Sequence, residues 1–323
     1  MICERVVWID VARGMGILFV MLGHLIPFSF FKVWIYSFHI HLFFFISGLV
    51  FRYDAKVSFH DFIVKKAKGL LVPYISFAII LLITDQLYQI LHIAKPSPVW
   101  WQVLMVIFQF RYWTIWFLVC LFVVNVLAFV ITRYYNKNKY LISGLLSLFF
   151  IFYSYYVSFP LPWCFDNGCV MLSLFFLGVF MRDSQKLKNL INNPFLILCN
   201  LFLSVFLCFL SYHLSGKMVD VFYRDYGFVL FSLPSSFFGI MFIVAISKMI
   251  KLRIFRYVGE NSLIYFGLHQ TCIYPLVSLF IVKLGIGDSD FKLFIIYIVS
   301  IMLLTLINII ITKSKFRFIL GKF

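Results

Sequence analysis

Charge is what this sequence has least of. Of its 323 residues only 12% are Asp, Glu, Lys or Arg, while 63% are hydrophobic and the mean hydropathy is +1.02. A soluble domain carries roughly a quarter charged residues, so the deficit excludes that class and leaves an integral membrane protein. Residue-by-residue alternation is missing too. Runs such as ISFAIILLITDQLYQIL are continuous, which excludes a transmembrane β-barrel and calls for helices. No Ser-, Gly- or Pro-rich linker occurs, nor a repeat of about 20–50 residues, so a single membrane domain over 1–323 is expected. No small-residue cleavage site precedes the charged FRYDAK segment, and the first apolar run is expected to remain as a span. The seven cysteines are scattered (Cys3, Cys120, Cys164, Cys169, Cys199, Cys208 and Cys272) and most sit in apolar runs as small hydrophobes. Cys164 and Cys169 flank a short loop; they form a disulfide if that loop faces an oxidising compartment, and are free thiols otherwise.

At about 20 residues per span, candidates fall at 8–28, 33–51, 70–92, 113–132, 140–160, 166–181, 194–213, 227–247, 259–282 and 292–312. The connecting segments then alternate in charge. One set holds 21 of the 28 Lys and Arg and the opposite set holds 7. This asymmetry predicts an all-α polytopic protein of about ten transmembrane helices, with both termini cytoplasmic. The net charge of +16 is thereby explained as orientation and contact with anionic lipid; no nucleic-acid partner is needed, and no metal is expected.

Against this background the intramembrane polar residues stand out. The stretch DVARGMGILFVMLGH places Asp10 and Arg13 three residues apart, one turn along a helix, where they can pair. His24 follows Arg13 by eleven residues, almost three turns, and so falls on the same face about 16 Å further on. The second span carries His39 and His41 in FHIHLFFFISG; His39 lies at a depth similar to His24, and His41 points away from it. The ninth carries Glu260, Asn261 and Ser262 as a polar helix entrance, and then His269. Arg111, Asp166, Arg224 and Asp225 fall at or near the outer face. Each feature has a structural alternative: an interface ion pair for Asp10 and Arg13, interhelical hydrogen bonds for the histidines, a cap for Asn261 and Ser262, an aromatic belt for Trp113 to Trp116. Three spans each bearing a histidine, one of them with an ion pair as well, favour a functional reading.

The segments IDVARGMGILFVMLGH, FHIHLFFFISGLVF, FIVKKAKGLLVPY, YWTIWFL and GENSLIYFGLHQ together resemble the acyltransferase-3 family of bacterial membrane acyltransferases, over about residues 5–312. Arg13 and His24 match that family's arginine–ten residues–histidine pattern. Many members have FHMP where this chain has Phe38-His39-Ile40-His41, so the departure falls on Ile40 and His41. The resemblance implies a stand-alone type in the bacterial inner membrane, without an added soluble domain. Its implied activity is transfer of acetyl from acetyl-CoA to a hydroxyl of a surface-polysaccharide sugar such as O-antigen or capsule.

The implied chemistry fits these residues. His24 would act as general base on the sugar hydroxyl, or alternatively carry an acyl group. Asp10 would hold Arg13; Arg13, Lys65, Lys66 and Lys68 would meet the donor. His39, Trp116, Asn261 and His269 would serve the acceptor, a glycan or lipid-linked sugar, with His39 also able to orient His24. The rival reading is a polysaccharide or small-molecule exporter of the same fold, in which intramembrane His and Asp/Arg carry protons.

Overall fold

The computed structural model describes residues 6–184, 194–285, 287 and 289–322. Cys3, and Arg5, Lys186 and Lys188 from the charge count above, lie outside them. The described chain is helical, with a single isolated β-bridge, Asp220 to Asp225. Its helices are α1 (Val7–Leu25), α2 (Phe30–Val50), α3 (Phe59–Ile90), α4 (Val99–Phe108), α5 (Trp116–Tyr135), α6 (Lys139–Tyr156), α7 (Phe165–Asp183), α8 (Pro194–Ser215), α9 (Val229–Met249), α10 (Arg253–Glu260), α11 (Ser262–Leu268), α12 (Tyr274–Lys283) and α13 (Asp290–Lys313). Among the described residues nine stretches are long and apolar enough to cross a membrane. One of them, Trp116–Tyr156, has 41 residues and comprises α5 and α6 around a 3-10 turn at Asn136–Asn138. Serine starts three of the spans: Ser29, Ser58 and Ser289 each accept a hydrogen bond from the backbone N–H three residues on.

The chain divides into two compact units whose segments alternate in sequence. The first comprises Met1–Tyr53, Ala128–Ser158 and Cys169–Ser262. In it α1 lies directly on α10. A Cβ on Gly14 would strike the Phe255 carbonyl, and one on Gly259 would strike the Asp10 carbonyl. Helix α2 meets α7 in the same way, with Gly48 on the Phe175 carbonyl and Gly178 on the Phe45 carbonyl. Between apolar helices in lipid, close backbone approach and hydroxyl hydrogen bonds replace the hydrophobic drive. The hydroxyls are supplied where α2, α8 and α9 meet. Trp34 Nε1 donates to Ser204 Oγ (3.0 Å), Ser235 Oγ to the Ser204 carbonyl (2.8 Å), and Ser236 Oγ to the Ser37 carbonyl (2.5 Å).

The second unit comprises Asp54–Leu127, Phe159–Gly168 and Leu263–Phe323. Helix α3 starts eleven residues before the expected span at 70–92, because Ser58 caps it and also donates to Asp61 Oδ2 (2.7 Å). Lys65, Lys66 and Lys68 therefore stand on a helix, not in a loop. Near the other end of α3, Asp85 accepts from Gln89 Nε2 (2.6 Å) and Gln102 Nε2 (2.5 Å), which ties the short apolar α4 to α3.

The expected ninth span, 259–282, is not one helix. It breaks at Asn261, then runs through α11, a π-turn at His269–Ile273 and α12. The cause is local. Asn261 Nδ2 donates to the Tyr257 carbonyl (2.9 Å), closing α10, so this residue ends a helix instead of opening one. His269 Nδ1 takes the Tyr265 carbonyl (2.8 Å) and the Phe266 carbonyl (3.1 Å), which competes with the regular backbone ladder.

Candidate functional site

In the first unit, α1 carries ionisable side chains at both ends. Asp10 is buried at its start, and Arg13 Nη1 lies 3.7 Å from Asp10 Oδ1 with the guanidinium still one-third exposed. A carboxylate in the first turn is favoured by the helix dipole, and pairing makes its burial tolerable. Asn261 belongs to this end as well, two residues after the Gly259 that rests on Asp10. Its amide is engaged by the Tyr257 carbonyl.

His24 stands in the last turn of α1, half-buried. His39 is buried on α2, and its Nδ1 lies 2.8 Å from the Ile35 carbonyl. A carbonyl only accepts, so Nδ1 carries the proton and Nε2 of the neutral ring keeps the lone pair. The expectation that His24 and His39 share a depth on neighbouring helices meets a third residue. Tyr36 packs edge-on against both, with ring centroids 6.1 Å from His24 and 4.7 Å from His39. Its hydroxyl lies 3.4 Å from His24 Nδ1. Lys32 stands over the same tyrosine, with Nζ 5.7 Å from the ring centre and donating to the Ile26 carbonyl (3.0 Å). His41 points elsewhere, and its buried Nδ1 has no hydrogen-bond partner among the described residues.

A segment that the sequence reading left without a role, the loop from Gly216 to Phe228, forms a tied hairpin in this unit. Asp220 and Asp225 exchange backbone hydrogen bonds of 2.7 and 2.9 Å. Tyr155 Oη donates to the Gly227 carbonyl (2.6 Å), and Arg224 Nη1 to the Ser158 carbonyl (3.0 Å). Arg224 has the left-handed φ of +63° that closes the turn. The Asp220 carboxyl acts electrostatically on Lys32 and Tyr36. Burial pushes its pKa from the ordinary 3.8 up to about 6; Asp225 adds to the rise, while the Phe222 and Tyr223 amides and Lys32 oppose it.

A carboxyl raised in the folded state binds more protons there than in the unfolded chain. Its contribution therefore favours folding at low pH and is lost as pH rises from about 4 through about 6. Asp220→Asn is expected to raise the neutral-pH unfolding midpoint and flatten its dependence across that window. Thermal unfolding in detergent from pH 4 to 8 measures both.

The other expected site residues lie in the second unit. Trp116 is buried, not part of a lipid-facing belt; His269 is fully buried with Nδ1 on two carbonyls; Lys65 and Lys68 are exposed, and Lys66 is half-buried over the Phe62 ring. Arg111 and Asp166 form a buried ion pair, and positive φ angles recur at Gln109, Arg111 and Trp113. Neither Cys164 nor Cys169 is in a disulfide; Cys164 Sγ contacts the Gln109 carbonyl at 3.4 Å. The described residues contain no cluster of three or more metal-ligating side chains.

Tyr36 is the residue that sequence reasoning missed at this site. The signal was present, because Tyr36 and His39 are three apart on a helix and so neighbours. Asp220 had no such signal, since 184 positions separate it from Tyr36.

One protein-family sequence model, described as an acyltransferase domain, matches residues 6–313. No curated protein and no solved structure matches the chain.

Proposed function

Because the chain belongs to the acyltransferase-3 family, we propose that it is a membrane O-acyltransferase of the bacterial inner membrane, transferring acetyl from acetyl-CoA to a hydroxyl of a surface-polysaccharide sugar. The observation that carries this reading is the arrangement along α1: a buried carboxylate holding a half-open guanidinium at one end, and an accessible imidazole at the other. A guanidinium suits an anionic donor, and Asp10 restricts its rotamers.

His24 serves as general base. Its imidazole takes the sugar hydroxyl's proton as the oxygen attacks the thioester carbonyl. The tetrahedral intermediate then expels the thiolate, which recovers that proton from the imidazolium. His39, held by Ile35 with Nε2 as an acceptor, is assigned to the acceptor sugar. On α3, Lys65, Lys66 and Lys68 supply cations suited to phosphates. Trp116 and His269 keep their candidate roles as acceptor contacts; the acceptor role expected of Asn261 is not retained, because it stands at the Arg13 end of α1 with its amide on the Tyr257 carbonyl.

With the termini cytoplasmic, Arg13 faces the compartment where acyl-CoA is made, and His24 lies about 16 Å across the membrane from it. The test is transfer of labelled acetyl from acetyl-CoA to endogenous glycan in isolated membranes without an ion gradient. Acetylation that depends on the gene supports the proposal. No donor consumption, combined with gradient-dependent glycan movement, replaces it with the exporter reading. Arg13→Ala should raise the KM for acetyl-CoA more than it lowers kcat, because it removes a grip on the donor and no reacting group.

A further inference from the structure

Tyr36 is built into its place from four sides. Gly23, immediately before His24, gives the ring its seat: a Cβ there would lie 3.1 Å from Tyr36 Cε2. His39 lies against the tyrosine one turn further along α2, Lys32 stands over it, and His24 faces its hydroxyl. From the hairpin, Asp220 and Tyr223 act on the same hydroxyl electrostatically. A glycine within a helix is costly, and here it makes room for the Tyr36 ring and, beside it, Ile35 Cγ2 at 3.3 Å.

We propose that Tyr36 is a positioning residue for acyl transfer: its phenol oxygen accepts from His24 Nδ1–H and so leaves the Nε2 lone pair directed at the acceptor hydroxyl. This inference rests on His24 being the base. An imidazole with a free choice of tautomer presents a lone pair at Nε2 only part of the time. A fixed acceptor at Nδ1 selects the competent form and its orientation, which is the task a carboxylate performs in a Ser–His–Asp triad. During the step the acceptor's proton moves to Nε2, Nδ1 keeps its own, and the phenol stays protonated. The partial negative charge on the phenol oxygen then faces the imidazolium.

The test compares wild type with three kinds of variant in purified, lipid-reconstituted form, with acetyl-CoA as donor and the total glycolipid extract of the same cells as acceptor. Tyr36→Phe keeps the ring on Gly23 and His39 and removes only the oxygen. It is expected to lower kcat about tenfold, the scale of one hydrogen bond, with both KM values within about twofold. Fluorotyrosines at position 36 weaken the oxygen as an acceptor without changing the packing, so kcat should fall as fluorines are added. His24→Gln is the arm that tests the underlying reading.

Should Tyr36→Phe match wild type while His24→Gln is inactive, this inference falls and the base assignment survives. A kcat that rises with fluorination makes the phenol a donor to Nδ1 and overturns the tautomer assigned here. If His24→Gln is fully active, the base assignment fails and this inference fails with it.

Discussion

Replacing His24 by alanine is expected to lower transfer by a factor of about 100 to 10,000, the range a positioned general base contributes. Protein level and membrane insertion should be unchanged. The side chain sits in the last turn of α1, half-buried, and its ring packs edge-on against Tyr36. Alanine is the best helix former, so the span loses no propensity. The measurement is mass spectrometry of surface glycans from cells carrying wild-type, deleted and His24→Ala genes, with the protein quantified in the same membranes. An acetyl mass shift seen with wild type alone supports the assignment and identifies the modified sugar. A shift of equal size with His24→Ala refutes it. An acyl-histidine route also requires His24, but leaves label on the protein when acceptor is withheld.

The second large effect is on folding. Gly14→Ala or Gly259→Ala should remove most of the folded protein, because each added methyl meets a backbone carbonyl: Phe255 in one case, Asp10 in the other. A flexible side chain can rotate away from a new methyl, but a carbonyl fixed in a helix moves only with its helix. Overpacking of this kind costs about 1–3 kcal/mol or more. In this protein it would also separate α1 from α10 and disturb the turn that carries Asp10. Gly69 and Gly144 provide the contrast. Both are helical, and neither has an atom within 4 Å of the added Cβ. Alanine there should be neutral or stabilising by about 0.4–1 kcal/mol. Unfolding midpoints of detergent-solubilised protein, read by size-exclusion fluorescence, separate the two pairs. Equal midpoints for all four variants would mean that α1 and α10 are not held by backbone contact.

Most of the helical architecture was legible because lipid permits so little else. A chain with this much apolar surface must satisfy its backbone within helices, so hydropathy alone marked the spans. Asp10 with Arg13 was legible for a related reason: residues three apart on one helix are neighbours whatever surrounds them. What escaped the reading depended on contacts distant in sequence or on side chains acting against their own helix. Helix α3 began early because a serine cap and a charged turn extend it past the apolar stretch that hydropathy detects. The break near Asn261 and the π-turn at His269 arise where polar side chains take backbone carbonyls, inside a run whose hydrophobicity looks uninterrupted. Trp116 reads as a membrane-interface aromatic by composition, yet it is buried inside the protein. The hairpin carrying Asp220 was invisible, since its tie to Tyr155 spans 72 positions and its effect on Tyr36 spans 184.

The serine contacts of α2 also have a consequence for biosynthesis. Ser37 and its carbonyl meet Ser235 and Ser236, which are 198 and 199 positions later in the chain. At about 5–20 residues per second, roughly 10 to 40 seconds of translation separate the emergence of α2 from that of its partner. During that interval the Ser37 hydroxyl and carbonyl sit in the bilayer or translocon without their eventual neighbours on α9. A chain that stops before α9 never acquires them, so ribosome stalling or a nonsense codon anywhere upstream of residue 229 should yield a product that membrane proteases clear, however many complete spans it already contains.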